Sequence, residues 1–370
     1  LNRIMTKALE GLRVVDIGGS ISTEYCSKIF SDYGAEVINL EPDSGFESRK
    51  SPPFIKGKDE SAMHAYLNTN KLSVRRDKLR KESLEDLISN ADLVLNNGEK
   101  SELSSISRGV FSDISWYGNG GDYDNFIGTD AQCFALNGML RGLGSVEGPP
   151  IIPSGYQAQI VGGMAAFIGS LGQVLGVEIG NNKKPSLVET SIYEASLCFT
   201  EVGAVSFFNT GLEGRRLGVN RFAPTYPLGV FPCKEGWIGL TVLTPSQWHA
   251  FCKLLKMEDF ALVPEYQTSL GRLQDIETIE PIIKERLLNF SAKDLFYRAQ
   301  EEAIPLVQVP TMEELLEVDQ FLAREAFTFA VLSDKDSVKV PSVPFRLMET
   351  PPTFGGYVAD LGENTLSFDK

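Results

Sequence analysis

Short apolar runs alternate with helical segments over the first 116 residues of this chain. Strands are predicted over Val14 to Ile17, Val37 to Leu40 and Lys71 to Arg75, in a run that ends at Asn96 and Asn97, and over Val110 to Trp116. Strands that alternate with helices pair in parallel, because each helix carries the chain back along the sheet. The sequence therefore predicts an α/β fold around a doubly wound, Rossmann-like parallel sheet.

A proline-rich loop leads into small and apolar residues between Pro149 and Leu175. The pair Gly162 and Gly163 predicts a buried helix that another backbone can approach closely. The loop brings Tyr156 and Gln159 to the start of this helix. Ligands often bind there, because the first backbone N–H groups of a helix have no partner within it. The stretch by itself is more typical of a core helix behind a polar loop.

The second half of the chain changes in character near residue 222. A β-hairpin is predicted around the turn Lys234 to Gly236, and a helical section then extends to about residue 303. We expect residues 1–221 to form the first part of a large domain and residues 222–320 to form a smaller α+β domain. Residues 321–370 are expected to return to the large domain.

Composition excludes several classes of function. The net charge is −14 and the isoelectric point is near 4.8, so no nucleic-acid partner is expected. The five cysteines form no C-x-x-C pair, and the two histidines, His64 and His249, belong to no metal-ligand cluster. We therefore expect reduced thiols, no metal and a cytoplasmic protein. No apolar run of membrane-spanning length is evident, so no membrane partner is expected.

Eight motifs occur in an order that matches one family. They are LEGLRVVDIGGSIS, YGAEVINLEP, NTNKLSV, DLVLNN, ISWYGNGGDYDNFIGTDAQCFALNGML, SLVETSIYEASL, RRLGVNRFAPTYPLGVFPCKEGWI and AIPLVQVPTMEEL. In this order they resemble family III of the CoA-transferases. That family includes the carnitine and bile-acid CoA-transferases, formyl-CoA transferase and α-methylacyl-CoA racemase.

The resemblance implies a fold, a substrate and a mechanism. The fold is a Rossmann-like large domain built from both chain ends, with a small domain between them. Family dimers are interlinked, and each subunit passes through a hole in the other. The substrates are an acyl-CoA and a carboxylic acid, with coenzyme A as the transferred group. An aspartate attacks the thioester to give an acyl anhydride and then an aspartyl-CoA thioester, so that one hard exchange becomes easier steps.

The chain departs from the family at that aspartate. By the resemblance, Gln159 occupies its position at the start of the apolar helix, and no carboxylate lies between Glu147 and Glu178. A neutral amide cannot form the anhydride. The racemases also need a histidine, whose position is held here by Thr129 before Asp130. Neither Gln159 nor Thr129 accepts a proton readily, so racemisation is less expected than transfer.

The resemblance also implies where coenzyme A binds. Asn39 replaces a lysine of the family pattern, and Gly98 with Glu99 replaces a Phe-Arg pair, so two cations are lost at a site for phosphates. The sequence leaves open whether these lost cations are replaced by other arginines or whether those arginines are solvated on the surface. The arginines concerned are Arg75, Arg76, Arg215 and Arg216. The residues expected at the coenzyme are Ser20, Ile21, Ser22, Asn39 and Asn97.

Three hypotheses follow. In the first, the chain is the subunit without the nucleophile in a heteromeric CoA-transferase, paired with a homologue that keeps the aspartate and using a donor such as succinyl-CoA. In the second, it is a homodimeric acyl-CoA transferase, racemase or lyase of altered mechanism. In the third, it binds acyl-CoA without catalysis. The first is favoured, so the chain alone is expected to be inactive.

Overall fold

The chain forms two compact units in a computed structural model that describes residues 7–180, 185–212, 214 and 216–369. The larger unit combines residues 1–139, 153–205 and 320–370, and the smaller combines residues 140–152 and 206–319. The larger unit is therefore built from both chain ends. The domain boundaries near residues 222 and 320 that we expect from the sequence remain a proposal, separate from this division into two units.

Six parallel strands form the central sheet of the larger unit. They are β1 Arg13–Asp16, β2 Glu36–Glu41, β3 Leu72–Arg75, β4 Leu93–Asn96, β5 Val110–Ser115 and β6 Ser186–Ser191. Their order is β3-β2-β1-β4-β5-β6, and all neighbouring pairs are parallel. This arrangement confirms the predicted α/β class and the doubly wound sheet. The order reverses between β1 and β4, which is where ligands bind in such sheets.

Fifteen helices are found in the described residues. They are α1 Ile21–Asp32, α2 Ala62–Leu67, α3 Lys81–Ser89, α4 Asp130–Leu136, α5 Gln157–Gly180, α6 Ile192–Ser196, α7 Glu201–Thr210, α8 Pro245–Leu254, α9 Glu258–Ala261, α10 Ser269–Gln274, α11 Ile276–Leu287, α12 Ala292–Glu301, α13 Met312–Leu315, α14 Asp319–Ala323 and α15 Thr365–Phe368. Short 3₁₀ turns occur at Glu47–Lys50, Arg76–Lys78, Glu102–Ser105, Met139–Gly142, Leu197–Phe199 and Pro264–Gln267.

The start of α1 is fixed by its own sequence. Ser20 is the N-cap, its hydroxyl accepts from the Thr23 backbone N–H, and Thr23 returns a bond to the Ser20 backbone. This reciprocal pair is a capping box. The helix therefore begins directly after Ser20, and Ile21 and Ser22 lie in its first turn.

Helix α5 is the expected helix of small residues, but it is buried along only part of its surface, and it corrects a second expectation as well. It packs on α1 through Gly163 and on α6 through Gly162, where an added Cβ would lie 2.8 Å from the Ile192 side chain. We expected no run of membrane-spanning length, but this helix of 24 residues is long and apolar enough to cross a membrane. Only 33% of its most apolar window is buried in the described chain.

The smaller unit contains the predicted hairpin. Strands β7 Leu228–Pro232 and β8 Trp237–Thr241 pair antiparallel, and β9 Leu306–Val309 extends the sheet beside β8. Helices α8 to α12 supply most of its core, in which Trp248 and Phe251 are fully buried. The buried Arg272 donates to the backbone carbonyls of Tyr226, Tyr266 and Val242, which satisfies its guanidinium.

A third sheet belongs to the C-terminal part of the larger unit. Its strands are β10 Phe327–Val331, β11 Ser337–Pro341 and β12 Gly356–Tyr357, in the order β11-β10-β12. Ala330 and Val340 pack against Ala65 of α2. The chain end also binds β3, since Ser73 N–H donates to Asn364 Oδ1 at 2.9 Å.

Candidate functional site

A cavity of about 510 Å³ lies in the larger unit at the carboxyl edge of the sheet, where the strand order reverses. Its walls are the β1–α1 turn, the loop after β2, the ends of β4 and β5, and the start of α5. Of the residues expected from the sequence, Ser20, Ile21, Asn97 and Gln159 line it. The structure therefore brings separate parts of the chain to one cavity.

The β1–α1 turn is held from inside by Asp16. Its carboxylate accepts from the N–H groups of Gly18 at 3.0 Å and Gly19 at 3.3 Å, and from the Ser27 hydroxyl at 2.8 Å. Gly19 has a φ of +61°, and a Cβ there would overlap the ring of Phe46. The turn therefore needs glycine, and backbone forms this part of the cavity wall.

Two residues expected at the coenzyme lie behind the wall. Ser22 is fully buried, and its backbone carbonyl faces Gly163. Asn39 is also buried and donates to Asn68 Oδ1 at 2.8 Å. Neither residue lines the cavity. Asn97 does line it, and its side chain donates to the Gly18 carbonyl at 2.9 Å, which ties the end of β4 to the β1–α1 turn.

Gln159 is bound to the carboxylate of Asp130, the first residue of α4. Thr129 is the N-cap residue of α4, but its side chain makes no capping hydrogen bond. Asp130 instead binds the start of α5: Oδ1 accepts from the N–H groups of Ala158 at 2.8 Å and Gln159 at 3.1 Å. Its Oδ2 accepts from Gln159 Nε2 at 2.9 Å. A carboxylate is stabilised at this position, because the N–H groups and dipole of the helix favour negative charge.

The pair leaves no free nucleophile at position 159. Gln159 is a neutral amide, and Asp130, which is 8% exposed and accepts hydrogen bonds at both oxygens, does not line the cavity. The cavity does contain two other carboxylates, the exposed side chains of Glu47 and Glu99. They lie on the loops after β2 and β4 and not at the start of α5. The residue missed by sequence reasoning is therefore Asp130 in its role as the partner of Gln159.

The four arginines proposed as compensating cations have different positions. Arg76 lines the cavity. Arg75 pairs with Asp43 and Asp77 on the surface of the larger unit. Arg216 belongs to the smaller unit, where it donates to the Leu143 carbonyl at 3.0 Å. Arg215 lies outside the described residues. Of these four arginines, Arg76 is the one that lines the cavity within the described residues.

A buried polar network, which sequence reasoning did not find, supports the cavity wall. Ser48 lines the cavity, and its hydroxyl lies 2.5 Å from Glu24 Oε1 and 2.7 Å from His64 Nδ1. Asn68 donates to the same Glu24 oxygen at 2.7 Å. Burial raises the pKa of Glu24 to about 7 although Lys71 opposes the rise, and burial lowers the pKa of His64 to about 3. His64 is therefore neutral at physiological pH.

A second cavity of about 870 Å³ shares the wall formed by Asn97, Glu99 and Trp116. Asp113 and Asp124 line it too, as does one lysine, Lys100. Three carboxylates against one lysine make the lining acidic, and an acidic lining disfavours the binding of phosphates. Among the described residues, no group of three His, Cys, Asp or Glu side chains is placed to hold a metal ion.

Comparison with known proteins decides the family. The sequence model of CoA-transferase family III matches residues 9–365. The chain belongs to this family. The resemblance carried by the eight motifs is thereby confirmed, and the cavity at the edge of the sheet is a site in a family III chain.

Relatives cover nearly all of this family III chain. It is 26% identical over 373 residues to (R)-2-hydroxy-4-methylpentanoate CoA-transferase of Clostridioides difficile, an alignment that covers 94% of this chain and 89% of that protein. It is 23% identical over 372 residues to the alpha subunit of succinyl-CoA–L-malate CoA-transferase of Chloroflexus aurantiacus, covering 96% and 85%. The crystal structure of a CaiB/BaiF family protein from Brucella suis superposes with a TM-score of 0.85 at 19% identity over 98% of both chains, and shows the same fold.

Proposed function

We propose that this chain is the subunit without the nucleophile in a heteromeric family III CoA-transferase. The complex moves coenzyme A from an acyl-CoA such as succinyl-CoA to a carboxylic acid. The observation that carries the proposal is the Gln159–Asp130 pair, in which a neutral amide is bonded to a carboxylate whose two oxygens are already occupied. The amide of Gln159 is not a nucleophile and Asp130 does not line the cavity, so in this proposal the complex needs an aspartate from another chain.

The pantetheine arm of acyl-CoA is proposed to lie against the β1–α1 turn. Ser20, Ile21 and Asn97 line the cavity there, beside the glycine backbone of the turn. Ser22 and Asn39 then act from behind the wall, because both are buried. Coenzyme A is a substrate in this proposal and no metal takes part.

The phosphates of the coenzyme need cations that this cavity offers sparingly. Arg76 lines the first cavity with Glu47 and Glu99, and Lys100 lines the second with three carboxylates, those of Glu99, Asp113 and Asp124. Phosphates bind most strongly to arginine and lysine. A homologous subunit that contributes arginine or lysine side chains would complete the site, which favours a heteromeric assembly.

Exposed apolar side chains support an interlinked dimer. In the larger unit Ile168 is 68% and Ile179 is 84% exposed on α5, and in the smaller unit Phe208 is 88% exposed. The most apolar window of α5 is only 33% buried, and an exposed apolar surface of that length is typical of a protein interface or of membrane contact. We assign these exposed side chains to a partner subunit and not to lipid, which keeps the protein cytoplasmic. The Chloroflexus relative is itself named as an alpha subunit.

Reconstitution tests the function. This chain is expressed alone and with a homologue that has aspartate at the position of Gln159, and each sample is examined by equilibrium sedimentation and assayed with succinyl-CoA and a panel of carboxylic acids. We expect a stable heterodimer and transfer only in the combined sample. Replacing the partner's aspartate by asparagine should abolish transfer. Turnover by this chain alone, or a monomer in both samples, would contradict the proposal.

A second candidate has one observation in its favour. Glu47 and Glu99 line the same cavity as Gln159, and either carboxylate is a chemically competent nucleophile in a homodimeric transferase of altered mechanism. Trapping the lone chain with acyl-CoA and hydroxylamine, followed by peptide mass mapping, would then place a hydroxamate on Glu47 or Glu99. If coenzyme A binds but neither adduct nor turnover is found in any combination, the chain is an acyl-CoA binder without catalysis.

A further inference from the structure

The amide of Gln159 has only one orientation that satisfies its neighbour. Its nitrogen lies 2.9 Å from Asp130 Oδ2. A carboxylate accepts hydrogen bonds and donates none. The group that faces Asp130 must therefore be the Nε2 NH2 group of the amide and not the Oε1 carbonyl. The carbonyl oxygen of Gln159 therefore points away from Asp130.

Asp130 cannot turn to relax this constraint. Its other oxygen accepts from the backbone N–H groups of Ala158 and Gln159, which are fixed in the first turn of a helix of 24 residues. The side chain is 8% exposed, so water competes little for these bonds. The charged carboxylate is also favoured at a helix N-terminus. Asp130 is therefore anchored by backbone, and Gln159 is anchored by Asp130.

Gln159 is a residue of the cavity wall. Gln159 lines the cavity beside Ser20 and Asn97, whereas Asp130 is not part of the wall. Since Nε2 is bound to Asp130, Oε1 is the atom left to face a ligand. We infer that Asp130 is a positioning residue that holds the Gln159 carbonyl toward the cavity, so that the site accepts a hydrogen bond from its ligand.

This orientation selects between two forms of the coenzyme, and the selection rests on the proposed function. The thiol of free coenzyme A can donate a weak hydrogen bond to Gln159 Oε1. The carbonyl of an acyl-CoA thioester only accepts, so it would place two acceptors against each other. The site of this chain therefore holds free coenzyme A in preference to the thioester, the opposite of what an oxyanion donor at position 159 would do.

The variant Asp130→Asn tests the inference, because it is expected to reverse the amide. The asparagine side chain keeps a carbonyl oxygen that accepts from the backbone N–H groups of α5, and it places an amide NH2 group where Oδ2 was. That NH2 group donates to Gln159 Oε1, so Gln159 Nε2 turns toward the cavity. Calorimetry with coenzyme A and with acetyl-CoA gives the ratio of affinities. We expect the wild type to favour coenzyme A, and the ratio to shift about fivefold or more toward acetyl-CoA in the variant, the effect of one hydrogen bond.

Gln159→Met is the matched control, since it removes both the donor and the acceptor at similar length. The ratio of affinities for coenzyme A and acetyl-CoA in Gln159→Met should lie between the ratios of the wild type and of Asp130→Asn. The double variant Gln159→Met with Asp130→Asn should show the same ratio as Gln159→Met. A thermal melt shows that each variant is folded. If Asp130→Asn leaves the ratio unchanged in the presence of Gln159, the selection between ligand forms is overturned.

A measurement without ligand separates this inference from the proposed function. The chain is labelled with ¹⁵N at glutamine side chains, and the Gln159 signal is identified by its loss in Gln159→Met. In the wild type one Nε2 proton should carry the shift of a bond to a carboxylate and exchange slowly, and Asp130→Asn should remove both properties. An unchanged signal would overturn the positioning role. A changed signal in a chain that binds no coenzyme would instead overturn the proposed ligand and keep the orientation.

Discussion

Gly163 of α5 lies directly against the backbone of Ser22 in α1, where a Cβ added to the glycine would be 2.6 Å from the Ser22 carbonyl oxygen and 3.3 Å from the Tyr25 Cβ. No side chain fits at that distance, and a backbone oxygen cannot move aside as a flexible side chain can. The contact sets the distance between the two helices whose first residues line the cavity.

Gly163→Ala is expected to destabilise the protein for this reason. Alanine forces α1 and α5 apart, and overpacking of this kind costs about 1–3 kcal/mol of the free energy of unfolding. Urea denaturation measures the change. Gly172→Ala in the same helix is the control. Outside the helix's own backbone, no atom of the described residues lies within 4 Å of its added Cβ, and alanine is the better helix former. A Gly163→Ala protein as stable as the Gly172→Ala protein would show that the helices do not meet here.

Glu24 is expected to make stability depend on pH. Burial raises its pKa from 4.5 to about 7, opposed by Lys71 and by bonds from Ser48 and Asn68 and assisted by Glu41. Between these two values the folded state binds more protons than the unfolded state, so the free energy of unfolding falls as pH rises and levels off above about 7. At ~1.4 kcal/mol per pKa unit the loss is of the order of 3 kcal/mol.

Glu24→Gln resembles the protonated form and should remove this part of the pH dependence. Urea denaturation of the wild type and Glu24→Gln between pH 4.5 and about 7 gives the difference in their free energies of unfolding. Most titrations of other groups cancel in this difference. His64 acts in the opposite direction, since its pKa is lowered from 6.5 to about 3 and stability falls as pH falls through that range. Parallel curves for wild type and Glu24→Gln would show that Glu24 keeps its charge in the folded protein.

Much of the fold was accessible from local patterns. Val15, Ile38 and Val94 lie on neighbouring strands of the sheet and are fully buried, as their apolar runs predict. Such runs indicate burial because both faces of a parallel sheet are covered. The glycine pair in α5 likewise indicated a close helix contact before its partner, α1, was known.

The site was less accessible, because its decisive contacts join distant residues. Asp130 and Gln159 lie 29 positions apart, and only the packing of α4 beside α5 makes the aspartate a cap for the second helix. Polar residues of α1 such as Glu24 and Ser27 are typical of a solvent face, but they are buried with Lys71 of the segment that precedes β3. No local pattern distinguishes a buried polar network from a solvated one.

Glu99→Arg is expected to raise the affinity for coenzyme A. Glu99 lines both cavities, and replacing it exchanges a repulsive charge for one that binds phosphate. A gain of about three- to tenfold corresponds to roughly 1 kcal/mol. Calorimetry at low and high salt checks it, since the gain should shrink as salt screens the charges. Glu102→Arg is the control with the same charge change outside the cavity lining. Equal gains in both variants would mean that net charge, and not the site, decides affinity.

Gln159→Asp should restore the missing nucleophile. The new carboxylate lies at the start of α5, where the helix dipole favours negative charge, but it also lies beside Asp130. Two adjacent carboxylates raise the pKa of one of them, so reactivity should fall at acid pH. The double variant with Asp130→Asn keeps a single carboxylate and should lose that pH dependence.

Incubation with acyl-CoA and hydroxylamine, followed by intact mass and peptide mapping, measures the outcome, because hydroxylamine cleaves activated aspartyl adducts. We expect no adduct on the wild-type chain alone and a hydroxamate at position 159 in Gln159→Asp. Gln159→Glu is a useful companion, since it carries the same charge on a longer side chain and should react less if geometry matters. An adduct on the lone wild type at Glu47 or Glu99 would place the nucleophile on that carboxylate. An activity of the lone chain that Gln159→Ala abolishes would show that Gln159 takes part in catalysis without a partner. The chain would then be an enzyme of altered mechanism.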